Sequence, residues 1–434
     1  MSASPPNGAQ EEVVELLQGL IRINTSNPTH AERPAAEWIA ERLDEVGVES
    51  TIYESEPGRA STVARIEGSD PSRPPLLIHG HLDVVPADAS EWSVDPFAAE
   101  ERDGYIWGRG AVDMKDMDAM TLAVFREWAR AGRKPPRDIV LAFLADEEAG
   151  GQKGAHWLVD HHRDLFADCS EAISEVGGFS VSMGADLRLY PIQTAEKGLG
   201  WLRLRAEGRP GHGSMLHDDN AVTRLAAAVS RVGQYEFPIT LTDSVRRFLE
   251  SISEITGLDI DPDNPDAALS KLGAFARMIG ATLRNTANPT MLDAGYKANV
   301  IPSKAEAIID TRFLPGQEQL LLDKIDELIG DGVTREWAAR DIAVETSFDG
   351  AVVDAMSAAL RAEDSNARPV PFLMSGGTDA KSFSTLGIRC FGFSPLQLPA
   401  GLDFTALFHG IDERVPVDGL RFGVRVLDRF LSTC

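Results

Sequence analysis

The chain has 434 residues, 43% of them apolar and 25% charged, enough for about three average domains or two larger ones, and this excludes a disordered or collagen-like polymer. A formal charge of −25 sets its field against nucleic-acid backbones and anionic membrane surfaces, so neither is expected as a partner. Cys169, Cys390 and Cys434 have no paired spacing, which excludes a disulfide framework and a thiolate zinc finger and leaves His and carboxylates to hold any metal. The apolar runs fall far short of the ~20 residues that cross a bilayer, and MSASPPNGAQEE has no basic segment followed by an apolar one. The expected location is the cytoplasm.

In chain order, Val13, Leu16, Leu17, Leu20 and Ile21 recur at helical spacing, and a second amphipathic helix opens at Pro34 and stops before Gly47. Strands are expected to follow. PPLLIHGHLDVVP reads as a buried strand running into a loop, and Lys115–Arg130 as a helix with Met117, Met120, Val124 and Trp128 inward and Gly132 just past its end. DIVLAFLADEE is another apolar strand that ends in acids, and EAISE a shorter one. From about Glu196 the texture changes: GLGWLRLRAEG alternates with period two, a helix follows over 221–232, and KANVIPSKAEAIIDTRF alternates again before a helix at 317–329. Buried-strand character returns in PVPFLMSGG and GIRCFGF, and 419–431 is a closing helix. The expected architecture is α/β: a domain with a largely parallel sheet built from 1–195 and 346–434, interrupted by an α+β domain at 196–345.

Open α/β sheets bind ligands at the carboxyl ends of their strands. Here those ends carry His81 and Asp83, then Asp146, Glu147 and Glu148, then Glu175, with Glu171 as the other acid of the last strand. GRGAVDMK places Asp113 in a glycine-rich loop ahead of a helix, and LFHGIDE places His409 in a late loop. Each has an ordinary explanation when taken alone. HxD is commonly a satisfied loop pair, DEE a solvated helix start, Asp113 an N-cap, and a lone His or Glu in a loop a surface residue. Their joint appearance at strand ends is what those explanations do not anticipate. Two His, several carboxylates and no cysteine suit zinc or a similar divalent ion. HExxH, GxSxG and GxxxxGK[ST] are absent, and GRGAVD lacks the third glycine of a dinucleotide fingerprint. His79 lies within the apolar run and reads as structural.

HGHLDVVP, GRGAVDMK, LADEEAG, SEVGG, NVIPSKAEAIIDTR, SGGTDAKSF and FHG occur in that order over almost the whole chain. The pattern resembles the co-catalytic zinc amidohydrolases that include aminoacylase, acetylornithine deacetylase, succinyl-diaminopimelate desuccinylase and carboxypeptidase G. The resemblance implies a zinc-peptidase-like catalytic domain and an inserted ferredoxin-like lid that makes a homodimer. It implies two zinc ions, with cobalt or manganese as possible substitutes. Asp113 would bridge them, His81 and Glu175 would complete one site, and Glu148 and His409 the other. Glu147 would be the general base and Asp83 would orient the His81 ring. A water activated between the ions would lose its proton to Glu147 as it attacks an amide carbonyl. His212 in RPGHGSM matches a lid histidine that helps stabilise the oxyanion in the partner subunit's site. Arg312 and Asn299 match residues that hold the substrate's carboxylate, and Gly377 and Thr378 contacts to that same end.

Departures from the family's pattern bear on substrate. SGGTDAK differs from the GGTSDGR of desuccinylases, and a longer stretch at 242–284 contains DIDPDNPDAA, which reads as a loop beside helices. The expected substrates are therefore N-acyl amino acids or dipeptides with a free carboxylate. The alternatives are a biosynthetic deacylase of the acetylornithine or succinyl-diaminopimelate type and, in a different class, a non-catalytic dimeric binding module that retains the fold.

Overall fold

The computed structural model describes residues 8–183, 187–258 and 279–434, so DIDPDNPDAA lies outside the described residues. Two compact units make up the chain: Met1–Thr194 with Phe348–Val370 and Thr378–Cys434, and Ala195–Ser347 with Pro371–Gly377.

In the first unit, the strands Ile139–Leu144, Leu76–His81, Glu171–Ser174 and Arg389–Gly392 lie side by side in that order, all parallel. Every residue of IVLAFL and LLIHGH is buried, which is why both read as unbroken apolar runs: layers cover the sheet on both faces. The largely parallel sheet is thus present, flanked by antiparallel strands. Ser50–Glu56 and Arg59–Ile66 pair as a hairpin on one side, and Arg188–Glu196 meets Arg389–Gly392 on the other.

The helices Gly8–Arg22, Lys115–Arg130 and Val417–Leu431 pack together around Val13, Leu17, Met120, Val124, Leu427 and Phe430. The opposite core gathers Leu144, Leu158, Phe166, Ala172 and Phe383. Lys115–Arg130 is buried on nearly all sides, including the four inward residues expected, and Gly132 follows it in the left-handed region at φ +62°.

In the second unit, four antiparallel strands run in the order Thr286–Ala294, Lys304–Phe313, Gly198–Glu207, Val333–Asp341. Helices Ala221–Gln234 and Glu318–Ile329 cover one face through Leu225, Leu321 and Ile325 against Leu202, Leu204 and Ile309. The chain order strand, helix, strand, strand, helix, strand in that sheet is the split βαβ, ferredoxin-like topology. Asn220 caps the first helix by accepting from the Val222 and Thr223 amides. Within the 242–284 stretch, Thr242 caps a helix over Asp243–Thr256. Among the described residues no helix is long and apolar enough to cross a membrane.

Candidate metal centre

The parallel register delivers the polar residues to one edge of the first unit. His81 closes its strand opposite Leu144, from which Ala145 and Asp146 lead into a tight turn at Glu147–Ala149; Glu175 follows Ser174 on the neighbouring strand. Asp113 enters from the loop ahead of Lys115–Arg130, and His409 from the turn after Phe404–Ala406.

Asp113 stands between the two histidines. Its Oδ1 lies 3.1 Å from His81 Nε2 and its Oδ2 3.2 Å from His409 Nε2. Glu175 Oε2 is 3.6 Å from His81 Nε2, and Glu148 Oε2 is 3.1 Å from His409 Nε2. The ligand atoms of His81, Asp113 and Glu175, and those of Asp113, Glu148 and His409, each fall within 4.8 Å of one another. Glu147 Oε2 is 3.9 Å from His81 Nε2, and Glu147 belongs to neither group. Glu171 instead pairs with Arg137 at 2.7 Å, leaving Glu175 as the acid of its strand in the cluster.

This arrangement fits divalent cations. Four carboxylates face only two imidazoles in a largely buried space, and Glu148 Oε1 is buried with no hydrogen-bond partner among the described residues. Burial pushes the Glu147 carboxyl well above its usual range, and the nearby charges of Glu175, Asp379 and Glu148 add to that against the opposing pull of His81. Burial likewise raises Glu175 to about 7. Such crowding is what a pair of dications neutralises, and the nitrogen and oxygen donors suit zinc.

The supports of the cluster differ in one detail from the expectation for Asp83. His81 Nδ1 donates to the Asp83 main-chain oxygen at 2.9 Å, which leaves the Nε2 lone pair directed at the cluster; the Asp83 carboxylate is 3.6 Å from Nδ1. That fully buried carboxylate instead accepts the amides of Glu147 at 3.0 Å and Glu148 at 3.1 Å, and Asn27 Nδ2 at 2.9 Å. It fixes the turn that presents the two acids. Asn27 also reaches Asp146 at 3.3 Å, whose backbone is left-handed at φ +72° and whose carboxylate accepts the Lys153 amide.

Sequence reasoning missed Asn27, Arg109, Asp379 and Glu413. Asp379 is buried, and its charge acts on Glu147. Glu413 accepts the Val112 and Asp113 amides at 2.8 and 3.2 Å and pairs with Arg109. The available signals were faint: Glu413 follows His409 by four residues and Asp379 follows Thr378, while Asn27 precedes a proline. His79 is buried against Phe383 at 4.8 Å between ring centroids, and burial holds it neutral, with its pKa lowered to about 3.

The remaining predicted residues lie elsewhere in the chain's units. His212 is exposed in the short pairing of Gly211–His212 with Val300–Ile301, and Gly213 donates to the Asn299 carbonyl, so His212 and Asn299 are neighbours in the second unit. Arg312, on the Lys304–Phe313 strand, is held by Asp310 at 2.8 Å. Gly377 belongs to the second unit and Thr378 to the first, where its hydroxyl accepts the Ala380 amide at 3.1 Å.

A model of peptidase family M20/M25/M40 matches residues 77–433. The chain is 30% identical over 445 residues to an N-fatty-acyl-amino acid synthase/hydrolase of Xenopus tropicalis, covering 96% of this chain and 84% of that protein. It is 28% identical over 450 residues to aminoacylase-1 of Sus scrofa, covering 99% and 97%. Its fold resembles the crystal structure of an M20 family metallo-carboxypeptidase from Sulfolobus solfataricus, with TM-score 0.73 and 19% identity over 97% of this chain and 99% of that one.

Proposed function

The chain belongs to peptidase family M20/M25/M40 and is a hydrolase of amide bonds, and from that premise we propose that it cleaves N-acyl amino acids or dipeptides carrying a free carboxylate. The observation that carries this reading is the placing of Asp113 between His81 and His409, with Glu175 and Glu148 closing the two ligand groups and Glu147 left outside both. His81, Asp113 and Glu175 would hold one divalent ion, and Asp113, Glu148 and His409 a second. The chemistry supplied when two zinc ions are bound, or cobalt or manganese in their place, is Lewis acidity: a water made acidic near neutral pH and a polarised carbonyl.

The chain's own residues do the rest. Glu147, free of the ligand groups, takes a proton from the attacking water at a carboxylate oxygen and returns it to the leaving nitrogen. Asp83 keeps Glu147 and Glu148 in register through their amides and fixes the His81 ring through its carbonyl. Arg312 and Asn299, with Gly377 and Thr378, recognise the substrate's carboxylate, for which a guanidinium's planar fork of donors is suited. His212 assists the oxyanion in a homodimer.

The test is a panel of N-acyl amino acids and dipeptides offered to zinc-loaded protein, each alongside its C-terminal amide. Turnover is expected on the free acids, lost on chelation and restored by zinc or cobalt, and lower by about a hundredfold or more on amidation. Protein that retains no divalent ion and gains no amidase activity on adding zinc would overturn the reading in favour of a binding module.

A further inference from the structure

Arg109 and Glu413 form a buried ion pair outside both ligand groups, with Nη1 2.7 Å from Oε2. We propose that this pair is a positioning clamp that sets the Asp113 loop and the His409 loop at one spacing, so that the shared carboxylate meets both imidazoles. The proposal rests on the cation reading above.

Local structure brings the two residues together across the chain. Arg414–Pro416 pairs antiparallel with Tyr105–Trp107, Arg414 opposite Trp107, which sets Glu413 beside Gly108; the Gly108 amide donates to the Glu413 carbonyl at 2.9 Å. The Glu413 side chain then turns toward the next loop, and its Oε1 accepts the amides of both Val112 and Asp113. Two amides on one fixed oxygen leave the Val112–Asp113 peptide little freedom to rotate. Asp113 is the one residue common to both ligand groups, so a shift in its backbone displaces an oxygen from each.

The other half of the pair faces His409. Arg109 Nη2 is 3.5 Å from the His409 carbonyl, and its guanidinium lies over the Trp92 ring at 5.2 Å. His409 has φ +58°, a left-handed conformation that a non-glycine residue keeps only where its surroundings impose it. The Glu413 carboxylate thus fixes one ligand loop directly, and its cation leans on the other.

The experiment titrates metal-free protein with Co2+ alone, read by the visible absorption of the bound ion and by chelator competition, with folding followed by circular dichroism. Glu413→Asp keeps the charge but withdraws the oxygen from the two amides, and Glu413→Ala removes it; both are expected to weaken Co2+ binding about 10- to 100-fold and to alter the absorption bands. Glu413→Gln keeps an oxygen for the two amides but loses the charge that holds Arg109, and is expected to bind Co2+ more tightly than Glu413→Ala and less tightly than wild type. A folded Glu413→Asp protein with wild-type affinity and spectrum would overturn the clamp, and so would a folded Glu413→Ala protein that binds as tightly as wild type. Asp113→Ala separates the two levels. Wild-type Co2+ binding in that variant would remove the cation reading and the clamp together, whereas its loss beside an unaffected Glu413→Asp would overturn the clamp alone.

Discussion

Glu147 and Glu148 are adjacent and chemically identical, yet the turn they occupy gives them different surroundings. Glu148 lies 3.1 Å from His409 Nε2 within a ligand group, while Glu147 stands apart at 3.9 Å from His81 Nε2. Replacing Glu147 by Ala is therefore expected to lower kcat by about 10²–10⁴ while the bound metal stays at the wild-type ratio, since a general base contributes on that order. Metal analysis beside steady-state kinetics checks this, and wild-type turnover would contradict the role. Histidines and acids at strand ends were visible in the sequence because their residue types are few and their motif spacings short. The groups that hold them were not. Asn27 reaches Asp83 across 56 positions, and Glu413 reaches the Val112 amide across 301. A side chain that serves a main-chain amide needs only an acceptor in the right place, and no residue pattern announces that.

Elements whose buried faces are apolar announced themselves, and elements that mix polar residues into a buried strand or lie exposed did not. Leu76–His81 and Ile139–Leu144 are covered on both faces and so appear as apolar runs, and Lys304–Phe313 is covered on one and alternates. Ser50–Glu56 has partly exposed residues throughout and carried no period to read, and Arg188–Glu196, buried at all but its first residue, carries Pro191, Gln193, Thr194 and Glu196 among its apolar residues and so showed neither a run nor an alternation. An acid outside the latter strand anchors its first residues. Asp364, just past the helix Ala351–Glu363, accepts from Arg188, from the Tyr190 hydroxyl at 2.8 Å, from the Asn366 amide at 2.9 Å and from Gln397 at 3.2 Å. Burial alone pushes its carboxyl up, but Arg188, Tyr190 and Asn366 more than offset this and hold it down at about 2. Asp364→Asn is expected to cost about 2 kcal/mol near neutral pH, as charged hydrogen bonds become neutral ones. Because the folded value lies below the unfolded one of about 3.9, the ionised group stabilises the fold above that pH and loses its effect as pH falls toward 2. Urea unfolding of both proteins should show the gap shrinking between about pH 5 and pH 2; a gap independent of pH would contradict the assignment.

At the scale of the molecule, charge and apolar surface pull in opposite directions. Two copies at −25 each repel, so any association has to rest on contacts outside the overall field. The second unit offers such a surface: among the described residues Thr286–Ala294 is the edge of its sheet, with Met291 67% and Leu292 61% exposed, and Tyr296 beyond it 80% exposed. An edge strand with open hydrogen-bonding groups and apolar side chains invites pairing, and proteins that keep such an edge generally cover it. A second copy of the chain is the occupant proposed. The repulsion is long-ranged and screened by salt, whereas apolar burial is not, so the dimer should tighten as ionic strength rises from about 0.02 M to about 0.2 M. Met291→Glu with Leu292→Glu adds charge to the contact itself and should leave a folded monomer under both conditions. Sedimentation velocity separates these outcomes, and a wild-type chain that stays monomeric at the higher salt would leave His212 without a neighbouring subunit to serve.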